Sequence, residues 1–223
     1  MLVKQLLHRL QLQSATLFFN PVEFVTGDCQ LPDMQNTPGK GRPRNPTTDD
    51  AIFEATISLL LVKGLDATTI DAVASQSGVT RPTVYRRYKN KQILIEACVE
   101  KILREDVAAP KLSSDPRENV IIMMINTIDM LAKTPVGGIF RVVIPHLEKH
   151  PKLAELTQDI GNRRRLAFKD VLLTAQQSGV ISSDKNIDFL ADGIIGALYF
   201  NYLVPQRILN RRYVTNLFNT LCE

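Results

Sequence analysis

The sequence predicts an all-α protein, with a small three-helix head followed by a larger helical body. Three observations carry this. Apolar residues recur at three- and four-residue spacing over long stretches, the period of one helix face. Breakers fall between those stretches, at Gly64, Gly78, Pro135 with Gly137-Gly138, Pro151, Gly179 and Pro205. No segment alternates convincingly with period two, so no strand is expected.

Residues 1–38 come first and look unlike the rest. Lys4, His8 and Arg9 sit among Leu2, Leu6, Leu7 and Leu10, followed by Phe18-Phe19 and Pro21. No small-residue cleavage site follows the apolar part, which argues against a secretory leader. The expectation is a poorly structured extension, with Met34 standing directly ahead of the organised region. The stretch 37–46 is then a basic arm whose Gly and Pro content excludes regular structure.

The head spans 39–93. Thr47 with Asp50 gives a capping-box-like start to a first helix carrying Ile52, Phe53, Thr56, Leu59 and Leu60, and Gly64 stops it. Thr68 with Asp71 starts a second helix through Ile70, Val73 and Ala74 to about Gln76. Gly78 closes it and Val79 plugs the turn. Thr80 caps a third helix, with Pro82 in the first turn, where a missing N–H costs nothing, and Val84 and Tyr88 facing inward. Asn90 caps a fourth, 91–107. The body, 94–223, holds predicted helices at 116–133, 138–149, 151–177, 186–204 and 211–221.

Composition sets the class. Of 223 residues, 44% are hydrophobic and 22% charged, which allows a sizeable core and argues against wholesale disorder. The net charge is +4, and residues 40–91 carry all of that surplus, with nine Lys/Arg against five Asp/Glu. Basic charge concentrated in one stretch is the footprint of polyanion binding. Cys29, Cys98 and Cys222 are scattered and form no CxxC pair, so reduced thiols are expected rather than a disulfide framework. No apolar run reaches the ~18 residues that a membrane helix needs.

The segment 68–88 carries the chemistry. Two short helices meet at a tight turn through Gly78, each with a hydroxyl-bearing start. A helix fits the major groove of B-DNA, where its N-terminal side chains reach base edges. The third helix opens Thr80-Arg81-Pro82-Thr83, a slim polar tip, and Tyr85, Arg86, Arg87 and Lys89 supply donors along its flank for phosphates. A solvated basic helix in an ordinary bundle is the competing reading of the same residues.

The run Gly78-Val79-Thr80-Arg81-Pro82-Thr83-Val84-Tyr85-Arg86-Arg87-Tyr88-Lys89-Asn90-Lys91-Gln92-Ile93-Leu94 resembles the signature of the tetracycline-repressor (TetR) family. Thr68-Thr69-Ile70-Asp71-Ala72-Val73-Ala74 is similar to that family's second helix. The resemblance is specific over 47–94, looser over 178–184 and 191–202, and absent over 1–38. It implies an N-terminal helix-turn-helix DNA-binding domain and a C-terminal ligand-binding and dimerisation domain. It further implies that Thr69 contacts phosphate and that Thr80, Arg81 and Thr83 contact base edges or backbone. Tyr85 and Lys91 would bind phosphate. Pro82 replaces a small residue there, and Tyr88 replaces the usual Phe or Trp.

The remaining candidates are weighed against bland alternatives. Arg42 and Arg44, within Lys40-Gly41-Arg42-Pro43-Arg44, suit a narrow minor groove or equally a solvated linker. Met123, Met124, Phe140 and Phe168 are candidate effector contacts, although apolar residues at helical spacing are more often core. His146, Glu148 and His150 lack a third strong ligand, so no metal or other cofactor is expected. Arg163-Arg164-Arg165 reads as a solvated helix face, with DNA as an alternative. The small residues Ala191, Gly193, Gly196 and Ala197 admit a close helix crossing, and the resemblance implies a dimer interface there. The expected function is therefore a cytoplasmic, homodimeric DNA-binding repressor, released from its operator by a small-molecule effector. An activator or a ligand-independent repressor is the alternative. No phosphate loop, nucleophile motif or metal run supports an enzyme.

Overall fold

Each regular element in the computed structural model, which describes residues 46–105 and 109–222, is helical. The order is α1 (Pro46–Ala67), α2 (Ile70–Ser77), α3 (Arg81–Arg87), α4 (Lys91–Glu105), α5 (Pro116–Lys133), α6 (Pro135–Val143), a 3-10 turn (Ile144–Lys149), α7 (Pro151–Gln177), α8 (Ile187–Leu203) and α9 (Arg211–Cys222). Residues 1–45, with Arg42, Arg44 and Cys29, lie outside the described residues.

Local chemistry explains most boundaries. Gly64 has φ +80° and ψ 179°, so α1 breaks where the sequence places its stop. Gly78 adopts the left-handed conformation at φ +69° and closes α2. The Oδ1 of Asp115 accepts from the Arg117 N–H at 2.9 Å to start α5. Asn186 does the same for α8, accepting from Phe189 N–H at 3.1 Å.

Three boundaries differ from the sequence reading in an instructive way. The cap of α2 is Thr69, whose Oγ1 accepts from the Ala72 N–H at 3.2 Å. Thr68 is buried and donates backward to the Gly64 carbonyl at 2.8 Å, tying α1 to α2. The helix expected over 138–149 begins earlier, at Pro135. Thr134 Oγ1 accepts from Val136 N–H at 3.2 Å, and Pro135 serves as a first-turn residue rather than a breaker. It also ends earlier, because Pro145 supplies no N–H and the chain tightens into the 3-10 turn.

Two apolar clusters hold the chain together. One joins Ile52, Leu60, Val73 and Val84 of the head to Leu94 and Val99 of α4. It continues through Met130, Val136 and Phe140 to Leu153 and Ile160. The other joins Met124 and Ile128 of α5 to Phe168 and Leu172 of α7, Ile194 of α8 and Phe218 of α9. The boundary drawn at 93/94 therefore falls inside α4, whose buried face belongs to the same cluster as the head. The side chains of α5 and α6 are thus packed in one continuous cluster with those of α1.

Candidate nucleic-acid interface

The helix pair α2–α3 is anchored by one face and open on the other. Ile70, Val73 and Val84 are buried, while Thr69, Thr80, Arg81, Pro82, Tyr85 and Arg86 are exposed, with Thr83 half-buried. Thr80 and Thr83 face each other across the first turn of α3, their Oγ1 atoms 2.9 Å apart. The backbone N–H groups of Thr83 and Val84 both donate to the Thr80 carbonyl, at 2.9 and 3.1 Å. The polar tip is thus presented outward on a fixed turn.

Arg81 is the most constrained of these groups. Its Nε lies 2.7 Å from Asp71 Oδ1 on α2, and its guanidinium sits 5.6 Å from the centre of the Tyr85 ring. Hydrogen bonding to Tyr85, then the charge of Asp71, raises its pKa, so it remains cationic. Asp71 thus ties the side chain of Arg81 on α3 to α2.

Two basic residues have structural partners. Arg87 is turned inward and pairs with Asp49 near the start of α1, binding α3 to the head's core instead of joining the flank of exposed donors. Lys91 is half-buried, and its Nζ donates to the Asp66 carbonyl at 2.7 Å. That bond fixes the start of α4 beside the α1–α2 turn, where Asn90 Oδ1 accepts from the Ile93 N–H at 2.9 Å. Asp49 did not stand out in the sequence and Asp71 did so only as part of the start of α2, because an acid many residues from its Arg has no periodic signal.

In the body, the proposed effector contacts divide. Met123, Met124 and Phe168 are buried in one cluster and Phe140 in the other. A cleft of about 310 Å³ lies elsewhere, lined by Leu65, Asp66, Lys91, Ile95, His150 and Leu153 among others. His146 and His150 meet edge-on at 6.4 Å between ring centres. Among the described residues no group of three metal-ligating side chains converges.

The Arg163–165 triplet is not one solvated face. Successive helical residues point about 100° apart, so three in a row must diverge. Arg163 pairs with Asp159 at 3.1 Å on the surface. Arg165 reaches α8, with Nε 2.6 Å from Asp192 Oδ1 and Nη2 2.8 Å from Asp188 Oδ1. Arg164 is only 4% exposed and points inward.

On α8, Ala191 is buried within its own chain and Ala197 is half-buried, whereas Gly193 and Gly196 are exposed. Phe189 and Phe200 flank the glycines on the outward side, 77% and 59% exposed.

Comparison with known proteins agrees with this geometry. Residues 52–98 match the model of bacterial regulatory proteins of the tetR family, and residues 113–221 match the tetracyclin repressor-like C-terminal domain. The HTH-type transcriptional regulator YdeS of Bacillus subtilis is 27% identical over 179 residues, covering 80% of this chain and 89% of its own. The regulator Rv1556 of Mycobacterium tuberculosis is 28% identical over 182 residues, covering 80% and 85%. A solved regulator from Saccharomonospora viridis, in complex with choline, shares the fold at a TM-score of 0.66 and 17% identity, covering 78% of this chain and 97% of its own. Its neighbours being regulators and not enzymes, and its α2–α3 pair presenting a polar tip on a buried base, the chain belongs to the tetR family of bacterial regulatory proteins and is a helix-turn-helix DNA-binding transcriptional regulator.

Proposed function

We propose that this regulator is a cytoplasmic homodimer that represses transcription from its operator until a small molecule bound in the body releases it. The observation that carries the reading is the exposed set Thr69, Thr80, Arg81, Tyr85 and Arg86 on one side of α2–α3, opposite a buried base. Thr80, Arg81, Pro82 and Thr83 would meet base edges in the major groove, and Thr69, Tyr85, Arg86 and Lys91 the flanking phosphates. Arg42 and Arg44 would enter the adjacent minor groove.

The outward stripe of α8 favours a second copy as its cover. Phe189, Gly193, Gly196 and Phe200 recur at helical spacing, and large apolar side chains on a surface mark an interaction site. A twofold contact through the same stripe is self-complementary, with the glycines at the crossing. It would hold two recognition helices about one turn of DNA apart. An effector that favours a different spacing weakens DNA binding by its differential affinity for the two states.

Gel-shift titration against the intergenic DNA beside its own gene tests the reading. Affinity should fall steeply with salt, each neutralised phosphate contributing a slope of about −0.9 in log–log terms. Equal affinity for an unrelated duplex of the same length would remove the operator-specific reading.

A further inference from the structure

Arg164 is a charged side chain buried where the two apolar clusters meet. It is 4% exposed. On α7, Ile160 lies one turn before it in the first cluster and Phe168 one turn after it in the second. Its Nη1 donates to Asn126 Oδ1 at 2.8 Å and its Nη2 lies 2.9 Å from Met130 Sδ, both on α5. Neither partner carries a charge, and its Nε has no hydrogen-bond partner among the described residues. Tyr199 of α8, packed against Phe140 at 5.8 Å between ring centres, is close enough for the two groups to interact electrostatically. Burial pulls the guanidinium's pKa below its ordinary value.

A buried guanidinium left without an anion is costly, and natural cores keep charges inside only when paired. Asp159, earlier on α7, pairs with Arg163 at 3.1 Å, and acids of the neighbouring helices are held elsewhere: Asp129 pairs with Lys133 at 3.0 Å, and Asp188 and Asp192 with Arg165. Among the described residues none supplies the missing half of the pair, and an anion from outside the chain would complete it. We propose that Arg164 anchors the carboxylate of an apolar organic acid, which is the effector class of this regulator. The carboxylate would take the free Nε and an Nη in the two-point geometry that guanidinium offers. Asn126 holds the fork from one side. The apolar part would have to part the buried side chains that flank Arg164, Met130 and Phe168 among them, at the seam between the two clusters. This inference rests on the ligand-responsive reading above and names its ligand chemistry.

The site is placed to act at a distance. Arg164 touches α5, and α5 packs on α6, which packs on α1 of the head. An anion on Nε and Nη2 would displace Met130 Sδ while Nη1 stays on Asn126, changing what holds α5, and the shared cluster would carry the change to α1.

The test uses the full-length protein with butyrate, octanoate, dodecanoate and benzoate, beside octanamide, benzamide and inorganic phosphate. At least one carboxylate is expected to raise Tm and bind in calorimetry, while its amide and phosphate do not. Arg164→Met should lose that binding by about tenfold or more, as expected for a charge-assisted pair. Without ligand, Arg164→Met should melt at or above the wild-type temperature, since it removes an unpaired buried charge. Arg164→Lys, which keeps the charge, should retain the preference for carboxylate over amide.

Stabilisation by no carboxylate, equal stabilisation by amide or phosphate, or unchanged binding by Arg164→Met would each overturn the site. So would a large loss of Tm or of dimer in unliganded Arg164→Met, which would make Arg164 a structural residue. A gel shift with the same ligands separates the two readings. Carboxylate binding that leaves DNA affinity unchanged sustains the site and refutes ligand-induced release. Loss of the site alone leaves DNA binding as it was.

Discussion

At the residue scale, the interface is defined by which donors are held and which are free. Arg81 is shared between Asp71 and the Tyr85 ring, so Asp71→Asn removes both a competitor and a negative charge beside the DNA. Its affinity for operator DNA is expected to rise severalfold in a gel shift, most at low salt, where screening is weakest. An unchanged or lower affinity would place Arg81 away from the DNA. Arg81→Ala should relax preference at particular operator positions. Lys91→Ala should weaken all sequences alike and flatten the salt slope by about one unit. The residue types of this surface were legible in the sequence, because an N-terminal helix tip rich in Thr and Arg carries its own chemistry. Their partners were not. Thr68 and Thr69 are equivalent candidates for a cap until the backbone shows that Thr69 is extended at φ −105°, ψ 159°. Arg164 was indistinguishable from its neighbours until its direction was known. Cys98 was expected to be a reduced thiol, and in the fold burial pushes its pKa up to about 12. Peptide mapping after alkylation should find Cys98 unlabelled in the native protein and labelled on unfolding.

At the scale of elements, two contacts of α8 invite measurement. Gly196 meets no atom within 4 Å of where a Cβ would stand. In a lone chain Gly196→Ala would therefore stabilise the helix by about 1 kcal/mol through propensity. At a crossing between two copies the same methyl group would push the helices apart. Sedimentation velocity is expected to show a weakened dimer for Gly196→Ala and a monomer for Gly196→Arg. The head should stay folded in both, and operator affinity for Gly196→Arg should fall roughly a hundredfold or more as avidity is lost. A Gly196→Arg protein that stays dimeric moves the interface off this stripe. On the side of α8 that faces α7, Asp188 is held by Lys169 and Arg165, and Asp192 by Arg165. These hydrogen bonds lower both carboxyl pKa values. The folded-state values lie below the unfolded value of about 3.9, so the contribution is present above that pH and is lost as pH falls through the folded values. The Tm difference between wild type and Asp192→Asn should be constant above about pH 5 and shrink in acid. A difference that grows in acid would contradict the network. Helix positions here followed from periodicity, and 116–133 and 151–177 are matched to the residue. The network did not, since α7 and α8 meet only in three dimensions.

At the scale of the whole molecule, the all-helical architecture and its head-first order were legible because every helix announces itself locally by spacing, caps and breakers. What the chain did not announce is that head and body share one apolar cluster through α4, α6 and the first half of α7. That continuity is a property of contacts distant in sequence, and it is the route that the proposed ligand response would use. In the proposed function, two such chains grip one duplex through their α2–α3 pairs. Sedimentation of the wild-type protein on the intergenic duplex measures this directly, since the mass bound per duplex counts the chains. Two chains, or a multiple of two, should bind cooperatively and be displaced by unlabelled operator but not by unrelated DNA. A single chain bound with full affinity, or equal displacement by any duplex, would contradict it.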